Sequence, residues 1–102
     1  MKYITDLDVD EIGGKRCAEF QRKYDPKEKG HILEYLRQFR PYILTTAPAE
    51  DPFTHEQVEE ADFGYSDGEY TWYETEIYCF EKYDLALTDE FLAYIRKKLN
   101  MG

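Results

Sequence analysis

The sequence predicts an α+β domain in which a small antiparallel sheet of about three strands packs with three to four helices. Two segments, 26–39 and 88–99, repeat apolar residues at helical spacing behind a residue suited to cap a helix. Between them, an Asp67-Gly68 turn joins two aromatic segments, as expected for a β-hairpin. A chain of 102 residues with 42% hydrophobic residues is long enough to form one domain with its own core.

The helices are predicted from caps and breaks. Gly13-Gly14 precedes a short helix that we expect over residues 15–23. Asp25 can cap the next helix and Pro26 fits its first position, whereas Pro41 should end it.

The strands are predicted from β-branched residues and turns. Residues 42–47 are apolar and β-branched, which favours a strand, and residues 48–52 form a proline-bracketed loop. A two-residue Asp67-Gly68 turn places Tyr65 opposite Tyr70 and Phe63 opposite Trp72.

Strand alternation puts those four aromatic side chains on one face of the sheet. The same alternation sends Tyr73 to the opposite face if Trp72 points inward. A helix over about 74–84 follows, and Thr88 should cap a last helix whose stripe includes Phe91, Leu92 and Ile95.

The acidic charge is concentrated in one part of the chain. The net charge is −9, and residues 41–87 hold one lysine against twelve acids, which is a net of −11. Such a balance excludes direct nucleic-acid binding and attachment to an anionic membrane, since both need clustered Lys and Arg. Residues 1–14 form a second acidic segment, which we expect to be attached loosely to the single domain over 1–102.

The sequence contains no recognisable catalytic or metal site. Asp6-x-Asp8-x-Asp10 begins like a calcium loop, but Glu11 stands where glycine is needed and Cys17 where a bidentate glutamate is needed. His31 and His55 lack partners at metal-ligand spacing. We therefore predict no enzyme activity, no catalytic residue, no metal and no cofactor.

The cellular compartment is predicted from the absence of two sequence signals. No secretory signal and no apolar run of about 20 residues is recognisable, so we expect a cytoplasmic protein without a membrane segment. Cys17 and Cys79 should then stay reduced.

A protein-binding surface is the preferred function. Tyr is enriched at interfaces, and carboxylates speed association with a basic partner. The predicted partner-binding residues are the acids of the −11 segment and one tyrosine: Glu50, Asp51, Glu56, Glu59, Glu60, Asp62, Asp67, Glu69, Tyr73 and Glu74. Three alternatives stay open: a nucleic-acid mimic that inhibits a DNA- or RNA-handling enzyme, a small enzyme or ligand-binding domain with a carboxylate site, and a homodimer whose acids only keep it soluble.

The second half of the chain also carries a recognisable pattern. Residues 67–72 read DGEYTW, and residues 78–91 fit YxxEKYxLxLxxEF. Over about residues 31–95, the chain resembles a group of small uncharacterised bacterial proteins that look similar to immunity proteins of toxin systems. The resemblance implies that the partner is a toxin, assigns no catalytic residue, and implies glycine at the position of His55.

Overall fold

A computed structural model describes residues 2–43 and 47–100 and confirms the α+β class. The described chain forms two small sheets, four helices and a 3₁₀ turn at Ile12–Gly14. The strands are β1 (Lys2–Tyr3), β2 (Ala49–Glu50), β3 (Gln57–Glu59), β4 (Gly64–Ser66) and β5 (Tyr70–Tyr73). The helices are α1 (Cys17–Phe20), α2 (Pro26–Arg37), α3 (Glu74–Tyr83) and α4 (Asp89–Lys98).

The main sheet is mixed rather than purely antiparallel, so that part of the prediction was wrong. Its strand order is β1-β5-β4, in which β4 and β5 are antiparallel and β1 is parallel to β5. Tyr3 lies opposite Thr71, and the Lys2 amide donates to the Glu69 carbonyl at 3.1 Å. A strand of only two residues shows no alternation of polar and apolar side chains, which is why the sequence did not reveal β1.

The N-terminal segment is anchored rather than loosely attached. Ile4 and Ile12 have no exposed surface. The Thr5 hydroxyl donates to the Ala86 carbonyl at 2.7 Å, and the Thr88 amide donates to the Ile4 carbonyl at 2.9 Å. Burial of two isoleucines and these long-range hydrogen bonds tie the segment to the start of α4.

The hairpin differs from its predicted register by two residues. Tyr65 lies opposite Trp72 and Ser66 opposite Thr71, so a three-residue connection, residues 67–69, separates β4 from β5. Asp67 favours the longer loop, because its Oδ1 accepts from the amides of Glu69 and Tyr70 at 2.9 and 2.8 Å.

The hairpin keeps its predicted aromatic face despite this shift in register. Because side chains alternate with period two, a change of two residues in register leaves each side chain on its original face. Tyr65, Tyr70 and Trp72 are accordingly all buried, and Phe63 packs against the same core. Trp72 also donates from Nε1 to the Leu36 carbonyl at 3.2 Å, which joins the sheet to α2.

Helix α1 is shorter than predicted. The chain leaves helical backbone at Gln21, which forms an antiparallel bridge with Leu85. The Ala86 amide donates to the Phe20 carbonyl at 2.7 Å. These pairings with the segment between α3 and α4 replace the second half of the expected helix.

The other three helices agree closely with prediction. Asp25 caps α2 by accepting from the amides of Lys27 and Glu28, each at 3.1 Å. Helix α2 ends at Arg37, a few residues before Pro41. Thr88 caps α4 as expected.

The region before the hairpin was only partly predicted. Ile43 forms an antiparallel bridge with Gly64, Ala47 lies outside any strand, and positions 44–46 of the expected strand lie outside the described residues. The two-strand ribbon of β2 and β3 was not predicted.

The loop between β2 and β3 holds His55 at a φ of 61°. This left-handed backbone favours glycine, because other residues bring Cβ close to the following carbonyl. It is the position at which the resemblance implied glycine.

Aromatic and aliphatic side chains from the sheet and the helices share one core. No helix in the described part of the chain has the length and apolar character needed to cross a membrane.

Candidate functional site

The ten predicted partner-binding residues do not form one surface. Five are exposed acids: Glu50, Glu56, Glu59, Glu60 and Glu69. Three others take part in hydrogen bonds with tyrosines, namely Asp51, Asp67 and Glu74. The remaining two, Asp62 and Tyr73, line a groove beside the main sheet.

Asp51 is a buried structural residue, which corrects its prediction as a surface contact. Its side chain is 1% exposed and accepts from the hydroxyls of Tyr78 and Tyr83 at 2.6 and 2.5 Å. The amides of Phe53 and Thr54 donate to its other oxygen at 2.7 and 3.0 Å. Burial alone would raise the pKa of Asp51, but these four donors hold it well below its usual range.

Asp67 and Glu74 are half-buried and have similar partners. Asp67 accepts from the hydroxyls of Tyr35 and Tyr94 at 2.5 and 2.7 Å, and Glu74 accepts from Tyr65. Against the opposing effect of burial, the two hydroxyls lower the pKa of Asp67. These two carboxylates therefore connect structural elements of the fold.

Three tyrosines share the outer face of the main sheet. Tyr3 lies opposite Thr71 across the β1–β5 pair, and alternation along β5 places Tyr73 on the same side as Thr71. The Tyr42 hydroxyl shares a hydrogen bond of 2.9 Å with the Thr71 hydroxyl. We call Tyr3, Tyr42 and Tyr73 the tyrosine face.

The tyrosine face contains the most exposed large hydrophobic side chains of the described chain. Tyr3 is 63% exposed and Tyr42 is 49% exposed. Tyr73 is half-buried, as its position at the edge of the groove requires, and was predicted to point away from the core. Exposed aromatic side chains grouped in this way are typical of binding surfaces.

A groove of about 670 Å³ adjoins this face. We call it the acidic groove, because five carboxyl groups and no basic side chain line it. Its lining is Tyr3, Thr5, Asp6, Leu7, Asp8, Val9, Asp10, Asp62, Tyr73 and Glu76.

Glu76 is the most buried carboxyl group of the acidic groove. The residue is 7% exposed, and its Oε1 accepts from the Tyr73 amide at 2.9 Å at the start of α3. Burial raises the pKa of Glu76 to about 8, and the nearby charges of Asp62 and Asp10 act in the same direction against the Tyr73 amide.

The like charges in the acidic groove also affect one another. Partial burial raises the pKa of Asp10, and Asp8, Asp62 and Glu50 raise it further. Asp62 is held in place at the start of α3, where it accepts from the Thr75 amide and hydroxyl at 2.9 Å each. The acidic groove is therefore a fixed region of negative potential.

No family model, curated protein or solved structure matches this chain. The resemblance to immunity-like proteins accordingly stays a prediction. The candidate site is defined by its geometry and charge alone.

Most of the acidic groove was missed by sequence reasoning. Asp6, Asp8 and Asp10 were interpreted as a broken calcium loop, and Tyr3 and Glu76 were not selected. The sequence signal that could have revealed it was the presence of Ile4 and Ile12 in this acidic segment. Both isoleucines are buried and pack the segment on the domain.

Two further observations concern metal coordination and thiol chemistry in the described residues. No group of three or more His, Cys, Asp or Glu in residues 2–43 and 47–100 is arranged to hold a metal ion. The buried Cys79 thiol has its pKa raised to about 12 by desolvation, so it is protonated at neutral pH.

A second groove, between α2 and α4, has a different character. Its volume is about 820 Å³, and its lining mixes acids with bases. Arg96 and Glu28 form an ion pair there at 2.7 Å. Its charges are therefore partly paired within the protein.

Proposed function

We propose that the protein is a non-catalytic binding protein that uses the tyrosine face and the acidic groove to bind a basic protein partner. The observation that carries the proposal is the position of Tyr3 and Tyr42. These strongly exposed hydrophobic side chains lie beside a groove lined by five carboxyl groups and no base.

The two parts of the surface supply different contributions to binding. Tyrosine rings provide large contact areas with little loss of side-chain freedom, and they are enriched among the residues that dominate interface energies. The carboxylates attract a basic protein over a longer range and make association dependent on salt.

The sequence resemblance supports a toxin as the partner. In such a pair, the binding protein blocks the toxin by covering it and needs no catalytic residue of its own. A toxin encoded by a neighbouring gene is the first partner to test, and we expect binding in the cytoplasm, where thiols stay reduced.

Site-specific crosslinking in the native cells tests this proposal. A photo-reactive phenylalanine analogue replaces Tyr42 on the tyrosine face or Glu34 on α2. Because α2 packs against Trp72 on the core side of the sheet, Glu34 is a control position on the other side of the molecule. Adducts are identified by mass spectrometry, and binding is then measured with the purified partner.

The expected result is an adduct with a basic protein from position 42 and none from position 34. The purified pair should bind more weakly as the salt concentration rises. An adduct between two copies of this chain, or equal adducts from both positions, would overturn the proposal. An adduct with a DNA- or RNA-handling enzyme that loses its nucleic-acid binding would favour the mimic instead.

A further inference from the structure

We propose that residues 6–11 form a strap beside Glu76 that is closed while this carboxyl group is protonated and opens when it ionises. The strap has the sequence Asp6-Leu7-Asp8-Val9-Asp10-Glu11, and both of its ends are fixed on the domain. Opening is a property of the free protein, and only its consequence for partner binding rests on the proposed function.

The strap is fixed at its ends but not along its length. Ile4 and Ile12 are fully buried on either side of it, and the Ile4 carbonyl accepts from the Thr88 amide. Among the described residues, every hydrogen bond of residues 6–11 stays within residues 5–14. The strap can therefore leave the acidic groove without breaking a hydrogen bond to another element.

Apolar contacts hold the strap closed. Leu7 and Val9 are half-buried, pack against the core and line the acidic groove. Their burial is a hydrophobic gain that involves no charge, so it does not change with pH. A change in the electrostatic repulsion across the groove can therefore decide whether the strap stays closed.

Like charges oppose these apolar contacts. The strap carries four acids and no base, and Glu76, which is only 7% exposed, lines the same groove from α3. The titratable groups that face Glu76 are Asp10 of the strap, Asp62 before β4, Tyr73 of β5 and Cys79 of α3, with Asp6 and Asp8 of the strap lining the same groove. No basic side chain lines the groove, so ionisation of Glu76 adds repulsion that none of these neighbours offsets.

The proton on Glu76 links the strap to pH. Burial, and then the charges of Asp62 and Asp10, raise the pKa of Glu76 to about 8 when the strap is closed, against about 4.5 in water. Since an open strap returns Glu76 to water, the open state binds the proton more weakly than the closed state. The ratio of open to closed strap should therefore rise by up to about tenfold per pH unit between these two values.

Opening of the strap changes the surface beside the tyrosine face. Tyr3 precedes the strap, and Tyr73 lines the groove from β5. An open strap exposes Leu7 and Val9 next to these rings and adds the charge of Glu76. Under the proposed function, a basic partner therefore binds the open strap more tightly than the closed one.

Methyl NMR of the full chain tests the strap. The protein carries ¹³C-labelled methyl groups in Leu, Val and Ile, and spectra are recorded from about pH 5 to 9. The methyl shifts of Leu7 and Val9 should move toward those of an unstructured chain, with a midpoint below about pH 8. Those of Ile4 and Ile12 should stay constant, because the ends remain anchored. The ¹³C shift of the Glu76 carboxyl group should titrate with the same midpoint as the Leu7 and Val9 methyl groups.

Two variants that each remove one negative charge separate Glu76 from a general effect of charge. Glu76→Gln keeps an acceptor for the Tyr73 amide but cannot ionise, so Leu7 and Val9 should stay packed over the whole pH range. Glu56→Gln removes an exposed charge in the loop between β2 and β3, and its strap should open as in the unaltered protein.

Three outcomes would overturn the inference. They are Leu7 and Val9 methyl shifts that stay constant up to about pH 9, the same opening in Glu76→Gln, and movement of Ile4 and Ile12 together with the strap. None of them bears on the proposed function, which the Tyr42 adduct tests separately. If the strap opens as predicted but no Tyr42 adduct forms, the strap stands and only its consequence for partner binding falls.

Discussion

Asp51 and the acidic groove place carboxylates beside tyrosines in two opposite ways. At Asp51, two tyrosine hydroxyls and two backbone amides point at one buried carboxylate. In the acidic groove, five carboxyl groups share a volume of about 670 Å³ with two tyrosines, and no basic side chain lines it. The same residue types thus surround one carboxylate with donors in one region and bring several carboxyl groups together in the other.

The pKa values of Asp51 and Glu76 shift in opposite directions, in line with this contrast. Donors aimed at Asp51 lower its pKa against the effect of burial, which means that the fold stabilises its charge. Burial and neighbouring acids raise the pKa of Glu76 to about 8, which means that the fold opposes its charge. Asp51 therefore serves the fold, whereas the fold gives the charge of Glu76 no comparable support.

The largest expected effect is at Asp51. Asp51→Asn leaves four donors facing a neutral amide, one end of which cannot accept, so we expect the free energy of unfolding to fall by about 3 kcal/mol. Urea unfolding at neutral pH measures this. The neighbouring exposed Glu50→Gln is the control and should change stability by less than about 0.5 kcal/mol. Equal effects of the two variants would refute a structural role for Asp51.

The second effect is the pH dependence of stability from Glu76. Since its pKa is about 8 when folded and about 4.5 when unfolded, the folded state binds the extra proton between these values. The free energy of unfolding should therefore fall as pH rises from about 5 to 8, by up to about 1.4 kcal/mol per pH unit.

Glu76→Gln should flatten that slope while it keeps the acceptor for the Tyr73 amide. Urea unfolding at several pH values measures both proteins. The acid side has the opposite sign, because the lowered pKa of Asp51 gives stability that is lost as pH falls below about 4. An unchanged slope in Glu76→Gln would show that another group titrates in this range.

A smaller effect is expected in the loop that leads from Asp51 to β3. His55→Gly removes the backbone strain of the left-handed conformation at a φ of 61°. Relief of this strain should raise the free energy of unfolding by about 1 kcal/mol. The greater conformational entropy of glycine in the unfolded chain reduces that gain. His55→Ala keeps the strain and is the control. A gain in both variants would assign the effect to the imidazole rather than to the backbone.

Local signals predicted the fold best where neighbours in sequence decide the structure. Asp25 and Thr88 cap their helices as predicted, and Gly68 takes a φ of 101° in the hairpin loop. Long-range pairing was not visible in the sequence. The bridge between Gln21 and Leu85 shortens α1.

The candidate site was harder to predict than the fold. Counting charges along the chain selected residues 41–87, but it could not reveal which acids face inward. The groove is made of two distant segments, since Asp10 and Asp62 meet only after β1 pairs with β5. Strand alternation selected Tyr73 and the local charge selected Asp62, whereas Tyr3 needed the parallel pairing.

The central claim is that the carboxylates of the acidic groove serve binding rather than folding. It is tested most directly by measuring how tightly the purified basic partner binds two triple variants that each raise the net charge of −9 by three. One carries Asn at Asp6, Asp8 and Asp10, and the other carries Gln at Glu56, Glu59 and Glu60. We predict that the first binds about tenfold more weakly and is no less stable to urea, while the second binds within about twofold of the unaltered protein. Equal loss of binding in both variants, or unfolding of the first, would contradict the account.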